Sequence, residues 1–171
     1  IIGNRREGFG IFQNPREGLM ASVLYIGPQF GTSKARCDAM RRIGCTVRVV
    51  DPHSLLPYPK VSLYWMNRAG GLWLGSFLAD RVIEQIGPER NFDLALVDCG
   101  DLVHPKVIRH IKRLGGLAVH FNLDNPFNGR DGARFHMLLK SIPLYDVMFF
   151  PRASSVASAK AMGARRVLQF R

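Results

Sequence analysis

The chain has 171 residues, 47% of them hydrophobic, which is enough for one domain to bury a continuous core. Its formal charge of +11 points to an anionic partner: nucleic acid, an acidic membrane surface or a phosphate-bearing ligand. The cations are scattered through every segment (Arg41-Arg42, Arg109, Lys112-Arg113, Arg165-Arg166) without the aromatic interleaving of a single-strand groove, so nucleic acid is the least favoured of the three. No apolar run reaches 18 residues, and the N-terminus lacks a signal-peptide pattern, so neither a spanning segment nor export is expected. Cys37, Cys45 and Cys99 are odd in number and widely spaced, which indicates neither a disulfide framework nor a zinc site. A reducing, cytoplasmic compartment is expected, with no cofactor and no metal.

Residues 1–19 carry neither helical nor strand periodicity and are read as an extension of a domain that begins at Met20. From there apolar runs alternate with amphipathic stretches, as βαβ units require. Val23–Gly27 is the first strand, followed by a helix from about Ser33 to Ile43 that Gly44 closes. Thr46–Val50 is a β-branched second strand that stops at Asp51-Pro52. From His53 to Arg68 the periodicity is weakest. Prolines 52, 57 and 59 argue against an ordered helix, so a mobile excursion near the sheet's edge or mouth is expected.

Leu72–Ile86 reads as a helix and Asp93–Val97 as the third strand. Pro105 opens a helix to Leu114, and Leu117–Phe121 is the fourth strand. Asp131–Ser141 is a helix, Asp146–Phe150 the fifth strand, Ser154–Met162 a short helix, and Arg166–Phe170 the sixth strand. The pattern predicts an α/β fold with a doubly wound, mostly parallel sheet of Rossmann-like build. The strand order 3-2-1-4-5-6 is expected, with ligands bound outside the carboxyl ends of the strands where that order reverses.

The strand ends hold the candidate residues. Gly27-Pro28-Gln29-Phe30-Gly31-Thr32-Ser33 could hold an anion or a sugar hydroxyl on helix amides, with Gly27, Gly31 and Ser33 as binding positions. It has neither the dinucleotide fingerprint nor the P-loop spacing, and an ordinary N-capped turn is an equal reading. Asp98 and Gly100 close the third strand, where Asp98 could position a hydroxyl or cap the turn. The densest cluster is His120-Phe121-Asn122-Leu123-Asp124-Asn125-Pro126-Phe127. Asp124 is its first catalytic candidate. His120 could act as general base beside it or stand as a buried, hydrogen-bonded core histidine. Asn122, Asn125 and Phe127 complete the expected binding set of this cluster.

In their order these residues resemble the N-terminal domain of the CgeB-like (spore maturation protein) group of GT-B glycosyltransferases. The resemblance runs from Val23 to the C-terminus. It rests on the first strand ending Gly-Pro with a following Gly and Ser, Asp51-Pro52, Asp98 with Gly100, and the His120, Asp124, Pro126-Phe127 string. Leu144-Tyr145-Asp146, Arg152, Gly163-Ala164 and the terminal Arg166-Val167-Leu168-x-Phe170 continue it, and the resemblance implies Arg152 as a further binding residue. At Asp124-Asn125 the chain departs from the two consecutive aspartates usual there. The resemblance implies one half of a GT-B architecture, an acceptor-side domain working with a nucleotide-sugar donor, an acceptor and a C-terminal donor-binding domain, without a required metal. A stand-alone Rossmann-like module binding a nucleotide or other anion without catalysis is the alternative.

Overall fold

A computed structural model describes residues 21–70, 74–88 and 90–170. The expected extension at 1–19, and the start of the Leu72 helix, lie outside the described residues. Six strands form one all-parallel sheet: β1 Ser22–Ile26, β2 Thr46–Val50, β3 Leu94–Asp98, β4 Leu117–Phe121, β5 Val147–Phe150 and β6 Val167–Gln169. The α/β, Rossmann-like class expected from the sequence is therefore present.

The strand order is β2-β1-β3-β4-β5-β6, which corrects the expected 3-2-1-4-5-6. The reason is in the strands themselves. β3 is Leu-Ala-Leu-Val-Asp, buried from Ala95 to Asp98, and a strand buried on both faces needs neighbours on both sides. β2 carries Arg48 at its centre, whose guanidinium reaches the Ile86 carbonyl at 2.5 Å, and its residues from Thr46 to Val49 are exposed or half-buried. A mid-strand arginine belongs on an edge.

The helices divide unequally between the faces. α1 (Gly31–Arg42) packs Cys37 and Met40 against Val23, Tyr25, Val47, Val49, Leu96 and Val119. On the other face α3 (Leu74–Ile86), α4 (Pro105–Arg113), α5 (His136–Ser141) and α6 (Ala153–Ala161) cover Leu24, Ile26, Ala95, Val97, Ala118, Met148 and Phe150. A right-handed crossover puts β1→β2 on one face and every connection running the other way on the opposite face, which produces this division.

Two expectations need correction. The segment after β2 is helical: a 3₁₀ turn over Pro52–Leu55 is followed by α2, Pro59–Ala69. Both helices begin with their proline, where the missing N–H costs nothing, so those prolines start helices rather than prevent them. Asp51 caps the first turn by accepting from the His53 N–H at 2.9 Å. Ser62 and Met66 are buried on the inner side of α2. The helix expected over Asp131–Ser141 begins only at His136. Gly132 takes a left-handed φ of +59°, and the Ala133 N–H bonds the Asn67 carbonyl at 3.2 Å, so this stretch turns against α2 instead of coiling.

One glycine fixes how closely β1 and β3 approach at their carboxyl ends. A Cβ on Gly27 would stand 2.9 Å from the Asp98 Cβ and 3.3 Å from the Asp98 carbonyl oxygen. Gly27→Ala is expected to destabilise the domain by about 1–3 kcal/mol through overpacking; urea unfolding followed by circular dichroism checks it against the wild type.

Candidate functional site

β1 and β3 are neighbours, yet their chains leave toward opposite faces, β1 into α1 and β3 into α4. Such a divergence opens a crevice at the carboxyl edge, the place where α/β sheets take ligands. The corrected strand order places the crevice between the Gly27–Ser33 and Asp98–Asp101 loops, with the His120–Phe127 segment one strand further along.

On the β1 side, Phe30 precedes α1 without a side-chain cap, and no acidic residue stands in the first turn. The first-turn amides of a helix have no intrahelical partner. Gly31 has φ +56°, and a side chain there would meet nothing within 4 Å. Ser33 is buried. The Gln29 N–H is tied to the Asp51 carboxylate at 3.1 Å, which fixes the loop to the end of β2.

On the β3 side, buried Asp98 accepts from both the Tyr25 hydroxyl and the Arg36 guanidinium. Arg36 also lies over the Phe121 ring, 4.0 Å from its centroid. Burial, then the hydrogen bond to Asp98 and the Asp98 charge, push the Tyr25 phenol well above its ordinary pKa, so it remains a donor. One carboxylate thus joins β1, α1 and β3, and the arginine it holds reaches β4. Asp98 is committed to this network.

Beyond Asp98 the chain takes two left-handed residues, Cys99 at φ +67° and Gly100 at +77°. His120 explains how the turn is held. Its Nε2 lies 3.2 Å from the Cys99 carbonyl, which can only accept, so Nε2 carries the hydrogen. A Cβ on Gly100 would press on the His120 ring at 3.3 Å. The imidazole is fully buried, 5.1 Å from the Tyr145 ring and 5.4 Å from Phe150, centroid to centroid. Of the two readings the sequence left open, this geometry is that of the core histidine.

Asp101 follows and binds Arg134 Nε at 2.9 Å, while Arg134 Nη1 approaches Asp124 at 3.5 Å. Asp124 is partly exposed, and Arg134 brings it to the same guanidinium as the β3 loop. Cys99 Sγ lies 3.5 Å from Arg134 Nη2, but burial and then Asp101 hold the thiol well above its ordinary pKa. It is not a thiolate nucleophile.

The other expected binding residues are distributed more widely. Asn122 is buried, accepts the Asp124 N–H at 2.9 Å and keeps an unpartnered Nδ2. Asn125 accepts the Phe127 N–H at 3.1 Å, closing a turn. Phe127 is half-buried and packs edge-on against the core residue Phe150 at 5.7 Å. Arg152 is exposed just before α6. Sequence reasoning missed Tyr25, Arg36, Asp101 and Arg134. Tyr25 left a signal: a tyrosine in a strand buried on both faces requires a partner for its hydroxyl.

Compared with known family models and with curated proteins, the chain matches none.

Burial holds the His120 pKa down to about 4, against the smaller raising effects of the Cys99 carbonyl and Asp98. The unfolded chain, with a histidine pKa of about 6.5, therefore binds this proton first. The associated stability is fully present above about pH 6.5 and is lost as pH falls toward about 4, at about 1.4 kcal/mol per pH unit. Urea unfolding at stepped pH is expected to show this slope in the wild type, and His120→Gln is expected to reduce it by that amount.

Proposed function

We propose that this domain is the acceptor-side half of a nucleotide-sugar-dependent glycosyltransferase of GT-B type, its ligands meeting along the carboxyl edge of β1, β3 and β4. The observation that supports it most is the uncapped N-terminus of α1, open at Gly31, facing the crevice where the strand order reverses. Amides of that kind suit a phosphate or a sugar hydroxyl. The ordered resemblance of the strand-end residues to the CgeB-like group supplies the reaction class.

In this reading Asp124 is the reacting carboxylate. It takes the proton of the acceptor hydroxyl while that oxygen bonds the anomeric carbon and the nucleoside diphosphate departs with the electron pair. Arg134 sets the Asp124 position from 3.5 Å, and Asp101 sets Arg134. His120 serves as a positioning residue that holds the Cys99–Gly100 turn. Arg152, exposed at the start of α6, offers a cation to an anionic group.

The alternative, a module that binds an anion without catalysis, draws on the burial of His120, whose imidazole is committed to the Cys99 carbonyl. The two part in one experiment. The full-length gene product is titrated with UDP-, GDP- and TDP-sugars, following heat release and nucleoside diphosphate release. Donor turnover is expected, lowered by about 10²–10⁴-fold in Asp124→Asn with donor binding retained. Binding without turnover would favour the module, and an Asp124→Asn rate equal to the wild type would overturn the assigned role.

A further inference from the structure

The outer side of α2 is apolar and basic together. Tyr58 is 84% exposed, Val61 59%, Tyr64 60% and Trp65 58%. Lys60 and Arg68 are exposed on the same helix. At 100° per residue, Lys60, Val61, Tyr64, Trp65 and Arg68 fall on one arc, opposite buried Ser62 and Met66. The rings of Tyr64 and Trp65 meet edge to face at 5.8 Å, which stiffens the pair. Between Asp51 and Asp80 the chain has no acidic residue.

Exposed aromatics of this size are uncommon on a solvated helix unless they meet a partner. Tyrosine and tryptophan suit the boundary between acyl chains and headgroups, because each has an apolar body and a polar tip. Lysine and arginine interleaved with them suit an anionic headgroup layer, as does the net charge of +11. A second copy of the chain fits less well. A twofold contact would set the cations of one copy against those of the other, on a stretch that has no acidic residue to answer them.

From these residues we infer that the outer face of α2 is a docking surface for an anionic lipid bilayer. The helix lies in the interface plane, with Val61, Tyr64 and Trp65 inserted at headgroup depth and Lys60 and Arg68 on the lipid phosphates. Its C-terminal end is bonded through the Asn67 carbonyl to the loop after β4, so the docked bilayer lies beside the carboxyl edge of the sheet. The inference does not depend on the glycosyltransferase reading, and Asp124→Asn is expected to leave it intact.

The test is co-sedimentation of the full chain with vesicles of phosphatidylcholine alone or with 30% phosphatidylserine, with circular dichroism to confirm that each variant is folded. Partition is expected to favour the anionic vesicles, with a blue shift of tryptophan emission. Lys60→Gln with Arg68→Gln is expected to weaken it by about 25-fold, fivefold for each charge at about 1 kcal/mol apiece. Tyr64→Ser with Trp65→Ser is expected to weaken it by at least about tenfold and to abolish the shift. Equal partition to neutral and anionic vesicles would overturn the inference. So would an equal loss from Arg109→Gln with Arg113→Gln on α4, or a concentration-dependent dimer in gel filtration that Trp65→Ser dissolves.

Discussion

The Asp98 carboxylate is the interaction on which the carboxyl edge depends. It ends a strand buried from Ala95 onward, and a buried charge is tolerated only when paired and hydrogen-bonded. Tyr25 from β1 and Arg36 from α1 provide that pairing, and Arg36 in turn lies on Phe121 of β4. Gly27 makes room, since any Cβ there would collide with Asp98. Four elements are thus fixed relative to one another at the point where the strand order reverses. Removing one partner of such a pair leaves the other charge buried, which costs more than the pair itself contributes.

The opposite face has a second, neutral device. His120 is held uncharged by its burial and gives its one hydrogen to the Cys99 carbonyl, stabilising a turn whose two residues stand at positive φ. A left-handed non-glycine costs on the order of 1–3 kcal/mol and persists where the surroundings over-determine it. From that turn Asp101 holds Arg134, and Arg134 holds Asp124. The path from the core to the exposed carboxylate therefore consists of named hydrogen bonds and ion pairs.

Strand positions were legible in the sequence because parallel strands buried on both faces must be continuously apolar. Their order was less so. Arg48, in the middle of the second strand, carried the information that this strand is an edge, but a β-branched run reads the same at an edge and at the centre. The prolines at 52 and 59 were ambiguous in the same way, since proline prevents a helix in its interior and starts one at its first position. At the carboxyl edge, residue types were visible but their partners were not. Arg36 and Asp98 lie 62 positions apart, and Arg134 and Asp101 lie 33 apart, so no local pattern could join them.

The most direct measurement is a double-mutant cycle on Asp98→Asn and Arg36→Met, read by urea unfolding. If the carboxylate network organises the crevice, each single change destabilises the domain by about 2–4 kcal/mol, and the double mutant loses clearly less than the sum, with a coupling of at least about 1.5 kcal/mol. Additive losses, with coupling below about 0.5 kcal/mol, would contradict it and show that Asp98 and Arg36 stabilise the sheet independently.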